Sequence, residues 1–197
     1  TMTDRPSRVE LIPWDYESPE HIERMYLQRL DCGWRSEEVR EKWTKLGRDG
    51  QKTLYWVESQ PIHDTAPTHW HLPRTPTNHP FHPIGHIALD LRPDQDRQLG
   101  LSSSSSSSTD GDTIVWVAGL YVSHTLQAGG FGREVMHLAE TIAAQPPLNG
   151  RWVVLDTMSR EQQLSSTFVK RIYLAQGKPA PTVAIQDWYE RQGYEVF

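Results

Sequence analysis

The 197-residue chain has almost no cysteine. Cys32 stands alone, so no disulfide can form within the chain. That fits a reducing compartment. No apolar run approaches the roughly 20 residues of a membrane span, and the N-terminus carries no signal-like core. A cytoplasmic, intracellular protein without membrane contact is expected. There is no basic block: 20 Lys and Arg face 25 Asp and Glu, for a net charge of -5. A nucleic-acid partner is therefore not expected. Metal-site spacing is missing too. His69 and His71 lack paired cysteines or an HExxH helix, so no metal is expected.

The length suits one domain over 1–197. Irregular stretches interrupt it at about 60–83, 93–111 and 158–181. The first is rich in proline and histidine from Pro61 to Pro83, and regular structure is not expected at that proline density. The second holds seven consecutive serines, Ser102 to Ser108. They offer no apolar burial to offset the entropy of ordering, so mobility is expected. Eight Trp and seven Tyr read first as core and surface anchors, and only second as pocket lining.

Between these stretches the order of elements is legible. Strands are predicted over Val9–Ile12, Thr53–Val57, Ile84–Leu91, Ile114–Val122, Trp152–Asp156 and Tyr194–Phe197, six in all. Ser18-Pro19-Glu20 is a helix start with Ser as N-cap and Pro at the first helical position, and Gly33 ends that helix. A second helix is predicted from Ser36 to Gly47. A further short helix ends before Gly177, and a last one runs from about Val183 to Gly193. The third and fourth strands should pair antiparallel. A crossover from the fourth strand through a helix to the fifth should make those two parallel.

The stretch that organises the chain is 114–143. A strand through Leu120, Tyr121 and Val122 leads into Gln127-Ala128-Gly129-Gly130-Phe131-Gly132-Arg133. An amphipathic helix follows, with Phe131, Val135, Leu138, Ala139 and Ile142 on one side. Strand, glycine turn and helix N-terminus together suit an anion, because backbone N–H groups of Gly129, Gly130, Gly132 and Arg133 could face one ligand. No Lys-Ser/Thr follows, so this is not a Walker loop. Neither is it the GxGxxG of a dinucleotide site.

The stretch resembles the acetyl-CoA loop of the GCN5-related N-acetyltransferases: Arg or Gln, two residues, Gly, one residue, then Gly or Ala. Gln127 to Gly132 fits it. Ala128 stands where many members have Gly, a departure of little cost if that backbone is helical or extended. His124 stands where Pro is frequent. A second resemblance lies at Trp188-Tyr189-Glu190-Arg191-Gln192-Gly193-Tyr194, similar to the family's final motif of aromatic, Tyr, Glu, two residues, Gly and aromatic.

The resemblance implies an α/β (α+β) fold. Its sheet would be mixed, mostly antiparallel and twisted, with helices on both faces and strands four and five parallel and splayed around the pantetheine arm. It implies acetyl-CoA (CoA) as cofactor, held by Leu120, Tyr121, Val122, Gln127, Ala128, Gly129, Gly130, Phe131, Gly132 and Arg133. Tyr189 would protonate the leaving thiolate. Base candidates are His124, Asp90, Tyr121 and His86, with the choice open. Trp34 and Tyr121 are candidates for touching the acceptor. A seventh strand is usual in the family and is not found here. Either the sequence stops short or a partner completes the sheet, so a monomer or a homodimer is expected.

The function implied is transfer of acetyl from acetyl-CoA to a primary amine of a small molecule, by direct attack. A catalytically inactive acetyl-CoA-binding module and a peptide or protein N-acetyltransferase are the alternatives.

Overall fold

The computed structural model describes residues 8–57, 62–101 and 113–197. The serine tract lies outside them. The chain divides into two compact units, residues 1–154 and 155–197.

The first unit is built on a five-stranded sheet. Its strands are β1 (Ile12–Pro13), β2 (Lys52–Val57), β7 (Gly85–Asp90), β8 (Ile114–Val122) and β9 (Trp152–Leu155), side by side in that order. β1, β2, β7 and β8 pair antiparallel, with Tyr55 opposite Ile87 and Leu89 opposite Val117. β9 lies next to β8, and the N–H groups of Arg151 and Trp152 donate to Thr113 O at 2.9 and 3.4 Å.

Two expectations need correction together. The proline- and histidine-rich segment is not irregular. It carries β3 (Ile62–His63), β4 (Thr68–His69), β5 (Leu72–Pro73) and β6 (Pro80–Phe81), paired as two antiparallel ribbons, β3 with β6 and β4 with β5. Counted along the chain, the fourth and fifth strands are thus β4 and β5, an antiparallel ribbon outside the main sheet and not a parallel, splayed pair, while the segments expected in that role, Ile114–Val122 and Trp152–Asp156, correspond to β8 and β9 of the main sheet. The physical reason is side-chain bonding between residues 10 and 13 positions apart. Asp64 accepts from Arg74 at 2.6 and 2.7 Å and from the Thr77 N–H and hydroxyl at 3.1 and 2.8 Å. These bonds hold the Asp64 carboxyl down at about 2. Trp70 Nε1 donates to the buried Tyr55 hydroxyl at 3.0 Å, tying the segment to β2. Proline removes donors, but two-residue ribbons need few.

α1 (Pro19–Cys32) starts where expected: Ser18 Oγ accepts from the His21 N–H, and Gly33 closes the helix in the left-handed region. The next segment is less regular than predicted. A 3-10 turn (Ser36–Glu38), a π turn (Val39–Trp43) and α2 (Thr44–Arg48) succeed one another. Met25, Val39 and Trp43 pack with Leu54, Trp56 and Ala88 in one core. α3 (Pro93–Gln98) was not anticipated from the sequence. It is short, and its Asp96 accepts from Trp116 Nε1 at 2.7 Å.

α4 (Phe131–Ala144) buries Val135, Met136, Ala139 and Ala143. It lies against β7 and β8 on the face that Val115 occupies. Ala118, of opposite parity on β8, packs against the α1 core. Helices therefore cover both faces of the sheet. The first strand sits slightly later than predicted, at Ile12–Pro13 rather than Val9–Ile12.

The second unit consists of α5 (Arg160–Leu164), α6 (Ser166–Phe168), turns over Val169–Tyr173 and Leu174–Gln176, and α7 (Ile185–Glu190). The buried Gln163 stitches them. Its Nε2 donates to Tyr173 Oη at 2.8 Å, and its Oε1 accepts from the Ile185 N–H at 2.8 Å. Arg160 pairs with Asp187 and Glu190. Tyr194–Phe197, predicted as a sixth strand, forms none among the described residues.

Two buried histidines set a pH limit on this fold. At His21, the Asp15 N–H and Trp56 Nε1 both donate to Nδ1, at 3.0 and 2.9 Å, while Nε2 donates to His63 O at 2.8 Å. A second proton has no place on Nδ1. His86 gives its Nδ1 proton to Gln28 Oε1 at 2.9 Å and accepts from Arg29 Nη1 at 3.3 Å, so a charged ring would face a guanidinium. Burial pulls both below the ordinary 6.5, His86 well below. The unfolded chain therefore takes up protons as pH falls through 6.5 while the folded chain does not. Stability should be level above about pH 7 and should fall below 6.5, by up to about 1.4 kcal/mol per pH unit for each histidine. Denaturant titrations from pH 8 to 5 read this slope. A curve flat to pH 5 would contradict the neutral assignments.

Candidate functional site

The site begins in the β7–β8 ladder. His86 lies opposite Tyr121, and Ala88 lies opposite Ala118. One residue of β7 thus faces two of β8, Gly119 and Leu120, which is a β-bulge. Gly119 supplies the left-handed backbone at φ +60°. Past the bulge the strands approach closely. A Cβ on Gly85 would stand 2.0 Å from Tyr121 O, so that position admits only glycine.

β8 then exits into a tight loop. The Ser123 N–H donates to Ile84 O at 2.8 Å, and Leu126 N–H to Ser123 O at 2.9 Å. Gln127 Nε2 donates to Val122 O at 3.0 Å and lies 3.2 Å from His124 Nδ1. His124 meets the Tyr121 ring edge-on at 5.7 Å. Ala128 has φ +65°, so its backbone is left-handed and the condition for a cheap departure from glycine is not met. Its methyl costs about 1–2 kcal/mol there.

Gly130, at φ +85°, caps α4. Of the four amides expected to face a ligand, two are engaged. Gly129 N–H donates to Leu126 O at 3.3 Å and Arg133 N–H to Gly130 O at 3.2 Å. The N–H groups of Gly130, Phe131 and Gly132 have no acceptor among the described residues. They are consecutive and open the 14-residue α4.

Sequence reasoning missed Arg8, which lies 121 residues from this loop and carries no local signal. Its Nη2 donates to Gly129 O at 3.0 Å, its Nε to Glu134 Oε1 at 2.7 Å, and its guanidinium lies 4.6 Å from the Phe131 ring centre. A cation thus stands beside the free amides.

The other candidates are distributed. Tyr121 donates to Asp31 and packs on His86 at 5.4 Å, and burial with Asp31 raises its phenol above the ordinary range. Trp34 is 51% exposed, on the loop after α1, and its carbonyl accepts from Arg29 Nε at 2.7 Å. Asp90 lies opposite Trp116, six residues before Val122, roughly 20 Å along the strand from the loop. It is buried against Lys52 at 2.6 Å and Arg92 at 3.1 Å. In the second unit, Tyr189 packs edge-on against Trp188 and Tyr194. Burial, with Asp156 second, pushes its phenol up to about 12.

No family model matches the chain, and no curated protein does. Solved structures do. A transcriptional regulator from Bacillus halodurans C-125 is 10% identical, with a TM-score of 0.51 over 96% of this chain and 94% of its own. A tetramutant of the BH1408 protein from Bacillus halodurans is 12% identical, with a TM-score of 0.50 over 95% and 94%. A GCN5-related N-acetyltransferase from Ralstonia eutropha JMP134 is 15% identical, with a TM-score of 0.49 over 96% and 94%. At such identities what this chain shares with the first two of these is the fold alone.

Proposed function

We propose that the chain is an acetyl-CoA-dependent N-acetyltransferase acting on a primary amine of a small molecule. The observation that carries this reading is the run of three free amides at Gly130, Phe131 and Gly132, at the N-terminus of α4 and just past the bulged strand. A helix N-terminus favours an anion, and glycine lets a phosphate approach the backbone. The pyrophosphate of CoA is the anion that this fold would bring there. Arg8 adds a second, mobile contribution, because its exposed pair with Glu134 costs little to break.

Acetyl-CoA supplies an activated acetyl thioester. This chain's residues would hold it, polarise its carbonyl and exclude competing water. The bulge at Gly119–Leu120 takes a backbone group out of the ladder, leaving it for that carbonyl oxygen. His124, beside Tyr121 at the strand exit, is the proposed proton acceptor. The direct assay is thiol release from acetyl-CoA with a panel of amines, amino acids, polyamines and peptides. Release that depends on no amine in the panel would contradict the reading.

Tyr189 is the proposed acid for the leaving thiolate, carried by its place in Trp188-Tyr189-Glu190 and Gly193-Tyr194. Its raised phenol keeps its proton through neutral pH, as a donor must. Tyr189→Phe removes only the hydroxyl. Turnover should fall at least roughly tenfold while acetyl-CoA affinity stays within a few fold. Loss of both together would make Tyr189 a positioning residue instead.

A further inference from the structure

Arg29 is a buried cation without a buried anion. It is 5% exposed, at the C-terminal end of α1. Its partners are the Trp34 carbonyl, the neutral His86 ring and the face of Trp43 at 5.1 Å. No carboxylate among the described residues forms an ion pair with it. The contrast with Lys52 is instructive. That residue is comparably buried, stands over the same indole at 5.3 Å, and has Asp90 as its counter-charge. Burying an unpaired guanidinium costs several kcal/mol, and proteins rarely retain one without compensation. Burial already pulls Arg29 below its ordinary range.

The guanidinium also borders the proposed reaction centre. A side chain placed on Gly119, at the bulge, would be in ordinary contact with Arg29 Nη1 and Trp43 Cη2, both at 4.0 Å. Arg29 and the Trp43 edge therefore border the bulge directly. Tyr121 and Asp31 are joined to the same network through His86.

We infer that Arg29 receives a carboxylate of the acceptor, so that the amine acetylated belongs to an aminocarboxylate, such as an amino acid, rather than to a simple amine. The inference rests on the acetyl-transfer reading for its second substrate. Arg fits because its fork bonds a carboxylate in a bidentate manner, which a point charge does not. Here Nε is held by Trp34 O and Nη1 already donates to His86 Nε2, leaving Nη2 and the second Nη1 hydrogen to face a ligand.

The test is calorimetric titration of the full chain, with CoA present, using amino acids and their matched α-amides. At least one amino acid should bind tenfold or more tightly than its amide. Arg29→Gln should erase that difference, and Arg29→Lys should reduce it. An amide that binds as well as its acid, or no binding by any acid in the panel, would overturn the inference. If Arg29→Gln fails to fold, the wild-type ratio and the Lys variant still decide it. Acetyl release is measured separately. Transfer to amides and plain amines but not acids would leave the enzyme reading standing and this inference fallen. Acid-selective binding without transfer would do the reverse.

Discussion

Asp90→Ala should destabilise the fold by about 3–5 kcal/mol. Asp90 accepts from Lys52 Nζ at 2.6 Å with both side chains buried. Burial pulls the Lys52 amine below its ordinary range even with Asp90 present, so solvent is not relieving that charge. Removing the carboxylate leaves the ammonium in the core, beside Trp43 and within reach of the fields of Arg92 and Arg29. The loss should appear as a lower denaturant midpoint with an unchanged slope. The double variant Lys52→Met with Asp90→Leu should recover most of it, because an apolar pair of similar volume has no unpaired charge. A single-variant loss below about 1 kcal/mol would mean that water reaches the pair. The same variants separate two roles for Asp90. If turnover falls and the stable double variant does not restore it, Asp90 moves protons. If turnover returns with stability, it packs.

Gly130→Val should weaken CoA binding by roughly ten- to a hundredfold. Hydrogen bonds to a charged group are worth about 1.5–3 kcal/mol each, and the substitution removes close approach to at least one amide. Two effects act together. Gly130 has φ +85°, a conformation that β-branched residues hardly adopt. Its new Cβ would also stand 3.2 Å from Arg8 Nη2, so the neighbouring cation must shift. Calorimetry gives the affinity, and the unfolding midpoint shows whether the chain remains folded. Unchanged affinity in a folded variant would move the pyrophosphate away from this turn. Arg8→Ala is the milder companion. It keeps the turn and removes only the cation, so its effect should be smaller and should fade at high salt.

The order of elements was legible because each signal is local. Ser18-Pro19-Glu20 and Gly33 delimit α1 with their own side chains and backbone. The β-branched run Ile114–Val122 and the glycines after it define β8 and the turn onto α4. What was illegible depends on distant partners. Nothing near Asp64 announces Arg74 and Thr77 as its ligands, so the ribbons of 62–81 could not be seen through their prolines. Arg8 reaches Gly129 only through the fold. Arg29 reads as an ordinary basic residue near a helix C-terminus, and its missing counter-ion is a three-dimensional fact. Ala128 misled for a different reason. A left-handed alanine leaves no mark in sequence, and the motif position hinted at glycine without requiring it.

The bulge at Gly119–Leu120 has one more effect. Before it, odd-numbered positions of β8 such as Val115 face α4, and even-numbered ones such as Ala118 face the α1 core. After it, Tyr121 is odd-numbered yet meets Asp31 of α1 and the ring of His86. One additional residue acts as a half-period delay in the strand's alternation. The first part of β8 keeps the phase of a packing strand. The last part is re-phased to turn a phenol toward the α1 side of the sheet, where Asp31 and His86 meet it.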